Sequence, residues 1–176
     1  CFAFDASPPD LPEERAIIAG GAGPETLELT SADGTRFSAA LAESPSGGDV
    51  GVVILPDVRG LYRFYVELAE RFAQAGHHAI AIDYFGRTAG TGERGEDFEY
   101  MPHVQQTRVE TVQLDIAAAL AALRERTGAR GAVTVGFCFG GSQSFAAATS
   151  ADLDLVAAVG FYGRLVPSRE GAPAPL

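Results

Sequence analysis

The sequence predicts an α/β domain in which a mostly parallel sheet carries helices on both faces. Runs such as "VGVVILP" and "HAIAI" are continuously apolar, which is typical of strands buried on both faces. Amphipathic stretches with helical spacing lie between these runs and end at glycine. Strands that alternate with helices imply right-handed crossovers and parallel pairing. A chain of 176 residues is long enough for one such domain with its own core.

The first predicted elements are an extended lead, a hairpin and a buried strand. Residues 1–23 are proline-rich and predict an extended segment. The stretch "ETLELTSADGTRFSAALAE" alternates apolar and polar residues and predicts a hairpin that turns at Asp33-Gly34, because both central residues of the favoured turn have positive φ. Residues 50–56 predict a buried strand, and the next helix ends at Gly76.

The second half of the chain repeats the alternation of strand and helix. "HHAIAIDYF" predicts a strand, residues 86–103 a long irregular loop, and "VQQTRVETVQLDIAAALAALRERTG" a helix that ends at Gly128. A strand "GAVTVGF", a helix from Phe139 and a buried strand "LVAAVGFYG" follow. Ligands bind at the carboxyl ends of the strands in such sheets. The loop at residues 57–61, the loop from residue 85 and the turn around Cys138 should therefore converge on one site.

Composition limits the classes of partner. The formal net charge of −10 disfavours nucleic acid and acidic membrane surfaces, and no apolar run approaches the roughly 20 residues that cross a bilayer. We therefore expect a soluble protein. The start of the chain lacks the features of a secretory signal, and Cys1 and Cys138 are the two cysteines, so we expect no disulfide framework and a cytoplasmic location. No metal-ligand spacing and no phosphate-binding loop occurs, so we expect neither a metal nor a cofactor.

The motif "GFCFGG" has the spacing of a nucleophile elbow with cysteine as its central residue. Gly136 and Gly140 flank Cys138 at the positions where side chains would collide with the neighbouring strand and helix. The backbone N–H groups of Phe139 and Val58 are the candidate donors to an oxyanion. The alternative interpretation is a small buried thiol in an ordinary tight turn.

Three further side chains are candidates for the same edge of the sheet. Asp57 directly follows a buried strand, where it faces a polar site or caps the next helix. Arg87 follows "IDYF", where it binds an anionic substrate group or lies at the surface. Tyr162 ends the last predicted strand, where it donates to substrate or caps the core. Arg59 is expected to be solvated or paired with a carboxylate.

Four motifs in order, "LPDVRGL", "AIDYFGR", "GFCFGG" and "GFYG", resemble the dienelactone hydrolase family of α/β-hydrolases. The resemblance covers residues 24–176 and implies the α/β-hydrolase fold. It also implies a Cys-His-Asp triad and hydrolysis of small esters and lactones. The family places its triad aspartate and histidine after the strand that ends here at Gly163. The resemblance therefore implies an α/β-hydrolase domain that is truncated before its last two strands.

The resemblance assigns roles to the candidate residues. Cys138 matches the nucleophile, and Val58 and Phe139 match the residues of the oxyanion hole. Asp57 matches a catalytic glutamate that contacts the resting cysteine, although aspartate is one methylene shorter, so it either reaches the sulfur or pairs with Arg59.

Two more roles follow from the resemblance, but no residue of this chain matches the histidine of the triad. Arg87 matches an arginine that binds a substrate carboxylate, and Tyr162 matches a tyrosine that lines the site. The histidines of this chain are His77, His78 and His103, all before the elbow, and we expect structural or solvated roles for them.

Two other functions stay open at this stage. One is a hydrolase-fold binding module without catalysis, and the other is a thiol redox protein that uses Cys138, although no resolving cysteine lies near it in the sequence. The natural substrate and the oligomeric state are also open.

Overall fold

The computed structural model describes residues 2–12 and 23–165. The strands are β1 (Glu25–Thr30), β2 (Arg36–Ala42), β3 (Val50–Leu55), β4 (Ala79–Ile82), β5 (Gly131–Phe137) and β6 (Ala157–Phe161). The helices are α1 (Arg63–Gln74), α2 (Gly86–Ala89), α3 (Tyr100–Gln106), α4 (Val109–Thr127) and α5 (Phe139–Ala147). One 3-10 turn at Ala151–Leu153 precedes β6.

All six strands belong to one sheet with the order β1-β2-β4-β3-β5-β6. The pairs β4–β3, β3–β5 and β5–β6 are parallel, whereas β1–β2 and β2–β4 are antiparallel. The mostly parallel sheet confirms the predicted fold class. The carboxyl ends of β3 and β5 lie side by side, because Leu55 pairs with Gly136.

Helices cover both faces of the sheet, as predicted. On one face α1 packs against alternate side chains of β3 and β4, with Tyr65 fully buried among them. On the other face α4 and α5 pack over the intervening side chains, with Ile116 and Leu123 fully buried. The strand side chains therefore alternate between two apolar layers, which explains why the sequences of β3 and β4 are continuously apolar.

Three predicted details are wrong. The hairpin loop spans residues 31–35, and only Gly34 has a positive φ, of 85°. The Asp33 carboxylate accepts a hydrogen bond from the Thr35 N–H at 3.1 Å, which stabilises this longer turn. Residues 86–103 are not wholly irregular, because α2 and the first half of α3 lie within them. The long helix begins at Val109, after the extended residues Thr107 and Arg108.

A buried ion pair fastens the segment between α2 and α3. The Asp83 carboxylate accepts a hydrogen bond from Arg94 Nε at 2.8 Å and one from the Phe85 N–H at 3.2 Å. Both charged side chains are almost fully buried. Burial raises the pKa of Asp83, although the Arg94 guanidinium favours its charged form. The sequence analysis did not identify this pair.

The edge strand β6 differs from its prediction as a buried strand. Its residues alternate between exposed and half-buried, and Val159 and Phe161 are 40% and 48% exposed. Tyr162, expected to end a buried strand, is 59% exposed. The described residues place no strand beyond β6. No helix in the described ranges is long and apolar enough to span a bilayer.

Candidate active site

Cys138 occupies the sharp turn between β5 and α5. Its φ is 55° and its ψ is −115°, a conformation that is strained for a residue with a side chain. Two backbone hydrogen bonds hold the turn: the Cys138 N–H donates to the Phe161 carbonyl at 2.9 Å, and the Ser142 N–H donates to the Cys138 carbonyl at 3.2 Å. The thiol is partly exposed. This geometry is the one expected of a nucleophile elbow.

Four glycines allow the backbones around Cys138 to touch, and we name Gly136, Gly140, Gly141 and Gly163 the glycine seam. A Cβ atom at Gly140 would overlap the carbonyl oxygens of Leu55 and Pro56, and one at Gly136 would overlap the backbone of Gly140. A Cβ atom at Gly141 would lie 2.8 Å from the Phe161 carbonyl oxygen. The start of α5 is therefore wedged between the ends of β3 and β6.

The two candidate oxyanion donors follow the adjacent strands β5 and β3. Phe139 is the first residue of α5, so its N–H has no partner within the helix. Val58 lies three residues after the end of β3. Neither N–H donates a hydrogen bond to any residue in the described ranges. Unpaired N–H groups beside a strained turn are what an oxyanion hole requires, but their role stays a prediction.

Asp57 pairs with Arg59 and does not cap α1, whose N-cap residue is Tyr62. The Asp57 carboxylate is completely buried, and Arg59 holds both of its oxygens: Nε lies 3.1 Å from Oδ1 and Nη2 lies 2.8 Å from Oδ2. The Arg59 N–H also donates to Oδ1, at 2.9 Å. No hydrogen bond joins Asp57 to Cys138 among the described residues. Of the two possibilities left open for Asp57, the structure shows the pair with Arg59.

Buried tyrosines hold the Asp57 loop in place. The Tyr84 hydroxyl donates to the carbonyl oxygens of Pro56 and Asp57, and the Tyr65 hydroxyl accepts from the Asp57 N–H at 3.0 Å. Burial raises the pKa of Tyr84 well above its usual value, and the charges of Asp57 and Asp83 add to this increase. Tyr84 therefore acts as a neutral hydrogen-bond donor to the loop after β3.

Tyr162 follows β6, and its ring centroid lies 6.5 Å from that of Phe137, the residue before Cys138. It has a φ of 43°, which is unusual for a residue with a side chain. Burial, followed by the charges of Asp57 and Cys138, raises its pKa. Its hydroxyl makes no hydrogen bond to a described residue, so it is available to a bound ligand, although that contact is not shown.

Arg87 is engaged in a network below the hairpin turn. Its guanidinium forms ion pairs with Asp33 and, at 2.8 Å, with Asp115. It also donates to Thr35 Oγ1 at 2.7 Å and to the Thr111 carbonyl at 3.2 Å. Its side chain is 16% exposed. A role in binding a substrate carboxylate stays a prediction, and these ion pairs would have to open for it.

None of the three histidines is bonded at the elbow. His78 precedes β4 at the amino ends of the strands, where its Nδ1 accepts a hydrogen bond from the Ser44 N–H at 3.0 Å. His77 precedes it in the same connection. His103 Nδ1 lies 2.9 Å from Thr88 Oγ1, and its ring stacks on Phe98. These placements agree with the structural roles expected for the histidines.

The amino-terminal segment (residues 2–12) borders the site, which the sequence analysis missed. The Phe2 ring stacks on Phe64 with centroids 3.9 Å apart and meets the edge of Phe137, next to Cys138, at 5.6 Å. The Phe4 ring lies under the Arg59 guanidinium at 4.7 Å. Two phenylalanines among the small, acidic and proline residues of "CFAFDASPPD" are the signal that could have indicated this packing.

Known proteins share the sequence pattern of this chain. The model of the dienelactone hydrolase family matches residues 37–175. The chain belongs to the dienelactone hydrolase family. A carboxymethylenebutenolidase of Pseudomonas putida is 28% identical over 145 residues, which are 79% of this chain and 61% of that relative. The chain thus spans about three fifths of the length of this curated family member.

Solved structures show the same fold. A protein from Klebsiella pneumoniae subsp. pneumoniae MGH 78578, described as a dienelactone hydrolase, superposes with a TM-score of 0.69 at 22% identity, over 86% of this chain and 66% of that one. A dienelactone hydrolase-like promiscuous phosphotriesterase from metagenomic libraries superposes with a TM-score of 0.66 at 24% identity, over 85% of this chain and 64% of that one. At these identities, the similarity supports the predicted α/β-hydrolase fold.

Proposed function

We propose that the protein is a hydrolase of small esters or lactones that uses Cys138 as its nucleophile and forms an acyl-enzyme. The single observation that carries this proposal is the backbone of Cys138, which is strained between β5 and α5 with a partly exposed thiol. Such strain at a buried structural thiol would have no compensating benefit, whereas an elbow presents its side chain to a substrate.

The reaction proceeds in two acyl transfers. The Cys138 thiolate attacks the ester or lactone carbonyl and forms a carbon–sulfur bond, and the tetrahedral oxyanion is bound by the N–H groups of Phe139 and Val58. The carbon–oxygen bond to the alcohol then breaks and leaves a thioester on Cys138. Water attacks that thioester, a carbon–oxygen bond to water forms, and the carbon–sulfur bond breaks to release the acid and restore the thiol.

The base is assigned to a histidine outside these 176 residues. It accepts the proton of the Cys138 thiol and gives that proton to the departing alkoxide. It afterwards removes a proton from the attacking water and returns it to the sulfur as the carbon–sulfur bond breaks. This assignment is supported by the positions of His78 and His103, which are both hydrogen-bonded elsewhere in the fold. Without that base, we expect acylation of Cys138 to outpace hydrolysis of the thioester, so the chain should show a burst followed by little turnover.

Tyr162 and Arg87 are proposed to bind the substrate. Tyr162 is the better supported contact, because it is 59% exposed and its hydroxyl makes no hydrogen bond to a described residue. Arg87 would recognise a carboxylate on the substrate only after exchanging an ion pair with Asp33 or Asp115. The net charge of −10 favours a small organic substrate over nucleic acid or an acidic membrane surface.

The test is a burst experiment with p-nitrophenyl acetate and p-nitrophenyl butyrate. We expect the release of about one equivalent of p-nitrophenol per chain and a matching acyl group on the peptide that contains Cys138, detected by mass spectrometry. The Cys138→Ala variant should lose both signals. The Cys1→Ser variant should keep them, and it is the matched control because it removes the other thiol of the chain.

Two results would contradict the proposal. Release of p-nitrophenol that persists in Cys138→Ala would place the reaction at another residue. An oxidised Cys138 that reacts with dimedone, without release of p-nitrophenol from wild type, would instead support the thiol redox function. Binding of ester without acylation, in a chain with a folded elbow, would support the non-catalytic binding module.

A further inference from the structure

Buried tyrosines pair with the polar groups of the two peptide units that follow β3, and one of these groups is left over. The Pro56 carbonyl accepts a hydrogen bond from the Tyr84 hydroxyl, and the Asp57 N–H donates to the Tyr65 hydroxyl at 3.0 Å. The Asp57 carbonyl accepts from Tyr84 at 2.9 Å. The Val58 N–H donates to no residue in the described ranges. Because buried backbone groups are nearly always paired, this N–H is the group that the loop keeps for a bound molecule.

The planarity of the Asp57–Val58 peptide links the carbonyl that Tyr84 binds to the N–H that is left over. The peptide is trans, as are the other peptide bonds of the described residues. Its C=O and N–H therefore lie in one plane and point in opposite directions, so a hydroxyl that fixes the carbonyl also fixes the Val58 N–H. The Gly60 N–H donates to the same carbonyl at 3.1 Å. Donation to the carbonyl also polarises the amide and strengthens its N–H as a donor.

The side chain of Tyr84 is itself held firmly, so it can impose a direction on the peptide. It follows β4 and is 1% exposed. Its ring lies against Phe85 and Phe139, with centroid distances of 4.9 Å and 5.6 Å. Phe139 carries the other candidate donor to the oxyanion. One buried side chain therefore contacts both segments that supply the oxyanion hole, the loop after β3 through its hydroxyl and the start of α5 through its ring.

We propose that Tyr84 is a positioning residue of the oxyanion hole: its hydroxyl orients the Asp57–Val58 peptide so that the Val58 N–H meets the oxyanion formed on a substrate of Cys138. The inference rests on the proposed function, because it assigns a role in the acylation of Cys138. Without the hydroxyl, the nucleophile and the N–H are still present, but the peptide adopts other orientations. The N–H then stabilises the transition state less.

The test compares two reactions of the Cys138 sulfur in wild type and Tyr84→Phe, with Cys1→Ser in every protein so that one thiol reports. In acylation by p-nitrophenyl acetate, the thiolate bonds to the carbonyl carbon, a tetrahedral oxyanion forms and p-nitrophenolate leaves. In alkylation by iodoacetamide, the thiolate displaces iodide from a CH₂ group and no oxyanion forms. Acylation should slow by about five- to thirtyfold, less than the roughly 100- to 1,000-fold cost of losing a donor outright. Alkylation should be unchanged.

Two further proteins show whether the effect belongs to this hydroxyl. Tyr62→Phe is the matched control, because it removes another buried hydroxyl, one that accepts a hydrogen bond from the Arg59 side chain at 2.6 Å, and it should acylate at the wild-type rate. Replacement of Tyr84 by 4-aminophenylalanine puts a weaker N–H donor in place of the O–H. Its acylation rate should lie between those of wild type and Tyr84→Phe. If Tyr84→Phe does not fold, this protein decides the matter, since acylation at the wild-type rate would contradict the role.

A thiono ester gives a readout that a merely structural role of Tyr84 would not change. In p-nitrophenyl thionoacetate, sulfur replaces the carbonyl oxygen and is a weak acceptor for the N–H groups of the hole. Wild type should therefore acylate faster with the oxygen ester, relative to the uncatalysed reaction of each ester with a small thiol. Tyr84→Phe should lose part of this preference, because its Val58 N–H is no longer directed at the oxygen.

Three outcomes would overturn the inference. They are equal acylation rates in wild type and Tyr84→Phe, an equal loss of acylation and alkylation, which would place the defect at the thiol, and an unchanged preference for the oxygen ester. A wild-type chain that does not acylate Cys138 would refute the proposed function and this inference with it. The two failures are distinguishable, because the first three outcomes leave acylation of wild type intact.

Discussion

β5 and β6 are neighbours in one sheet, but their surroundings differ. Val135 of β5 and Val159 of β6 are paired across the ladder, and they are 6% and 40% exposed. β5 lies between β3 and β6 and ends in the glycine seam, where backbone contacts backbone. Within residues 2–12 and 23–165, β6 pairs with β5 alone, and apolar side chains lie at its surface. β6 is therefore tightly packed only at its carboxyl end, where the Phe161 carbonyl accepts a hydrogen bond from the Cys138 N–H and lies against Gly141.

The largest effect is expected at the enclosed end of β5, where the start of α5 packs against the end of β3. In Gly140→Ala, the new methyl group would overlap the carbonyl oxygens of Leu55 and Pro56, so β3 and α5 must separate. We expect a loss of at least about 3 kcal/mol in the free energy of unfolding, or failure to fold. Urea unfolding measures it. Gly23→Ala is the control, since a Cβ there meets nothing within 4 Å, and equal stability of the two variants would refute the tight packing.

The next largest loss of stability is expected when a buried ion pair is broken, in contrast to an exposed one. Arg94→Met leaves the buried Asp83 carboxylate without its counter-charge, which should cost about 3 kcal/mol. Arg130→Met removes a pair whose side chains are 78% and 71% exposed, and it should change stability by less than about 0.5 kcal/mol. Thermal unfolding with a calorimeter measures both. Similar losses in the two variants would show that Asp83 is not buried as described.

A smaller loss of stability is expected when the paired valines of β5 and β6 are each shortened to alanine. Val135→Ala should cost about 1 to 2 kcal/mol, because it removes two buried methyl groups, whereas Val159→Ala should cost less than about 0.5 kcal/mol. Chemical unfolding of both variants gives the difference. A cost at Val159 that equals the cost at Val135 would mean that another chain or segment covers β6 in solution.

The smallest effect concerns pH at the hairpin turn. Hydrogen bonds from Arg87 and the Thr35 N–H lower the pKa of Asp33 from 3.8 to about 2. Because the folded state binds this proton more weakly than the unfolded state, the contribution is present above pH 3.8 and is lost as the pH falls towards about 2.

The melting temperature at a series of pH values tests this contribution. Asp33→Asn should show a shallower fall than wild type across that window. Asp49→Asn, which removes the exposed partner of Arg130, is the control and should follow wild type. A parallel fall of wild type and Asp33→Asn would rule out the contribution of Asp33.

The sequence could predict the features that depend on local pattern. The continuously apolar β3 and β4 indicate strands with two covered faces, and the spacing of Gly136 and Gly140 around Cys138 indicates a sharp turn, because both signals arise from neighbours in the chain. The exposure of β6 could not be predicted in this way. An apolar run predicts that a strand is buried, whereas the actual exposure of β6 depends on which elements pack against it.

Long-range polar pairs could not be predicted from the sequence either. Arg94 and Asp83 are eleven positions apart, and Arg59 joins Phe2 across fifty-seven positions. Charged residues at such separations carry no periodic signal, so the choice among partners is made by tertiary packing. Arg87 illustrates the same limit. Its position after β4 in the sequence suggests a contact with a ligand, whereas in the fold it pairs with the carboxylates of Asp33 and Asp115.

The glycine seam also restricts how the proposed active site can diversify. Because its four members meet other backbone atoms, almost any substitution there is eliminated by selection for folding before it can alter catalysis. The intervening side chains of Phe137, Phe139 and Tyr162 are free of that constraint, since they contact aromatic rings at ordinary distances. Laboratory evolution toward new esters should therefore accumulate its changes at these three positions and leave the seam untouched.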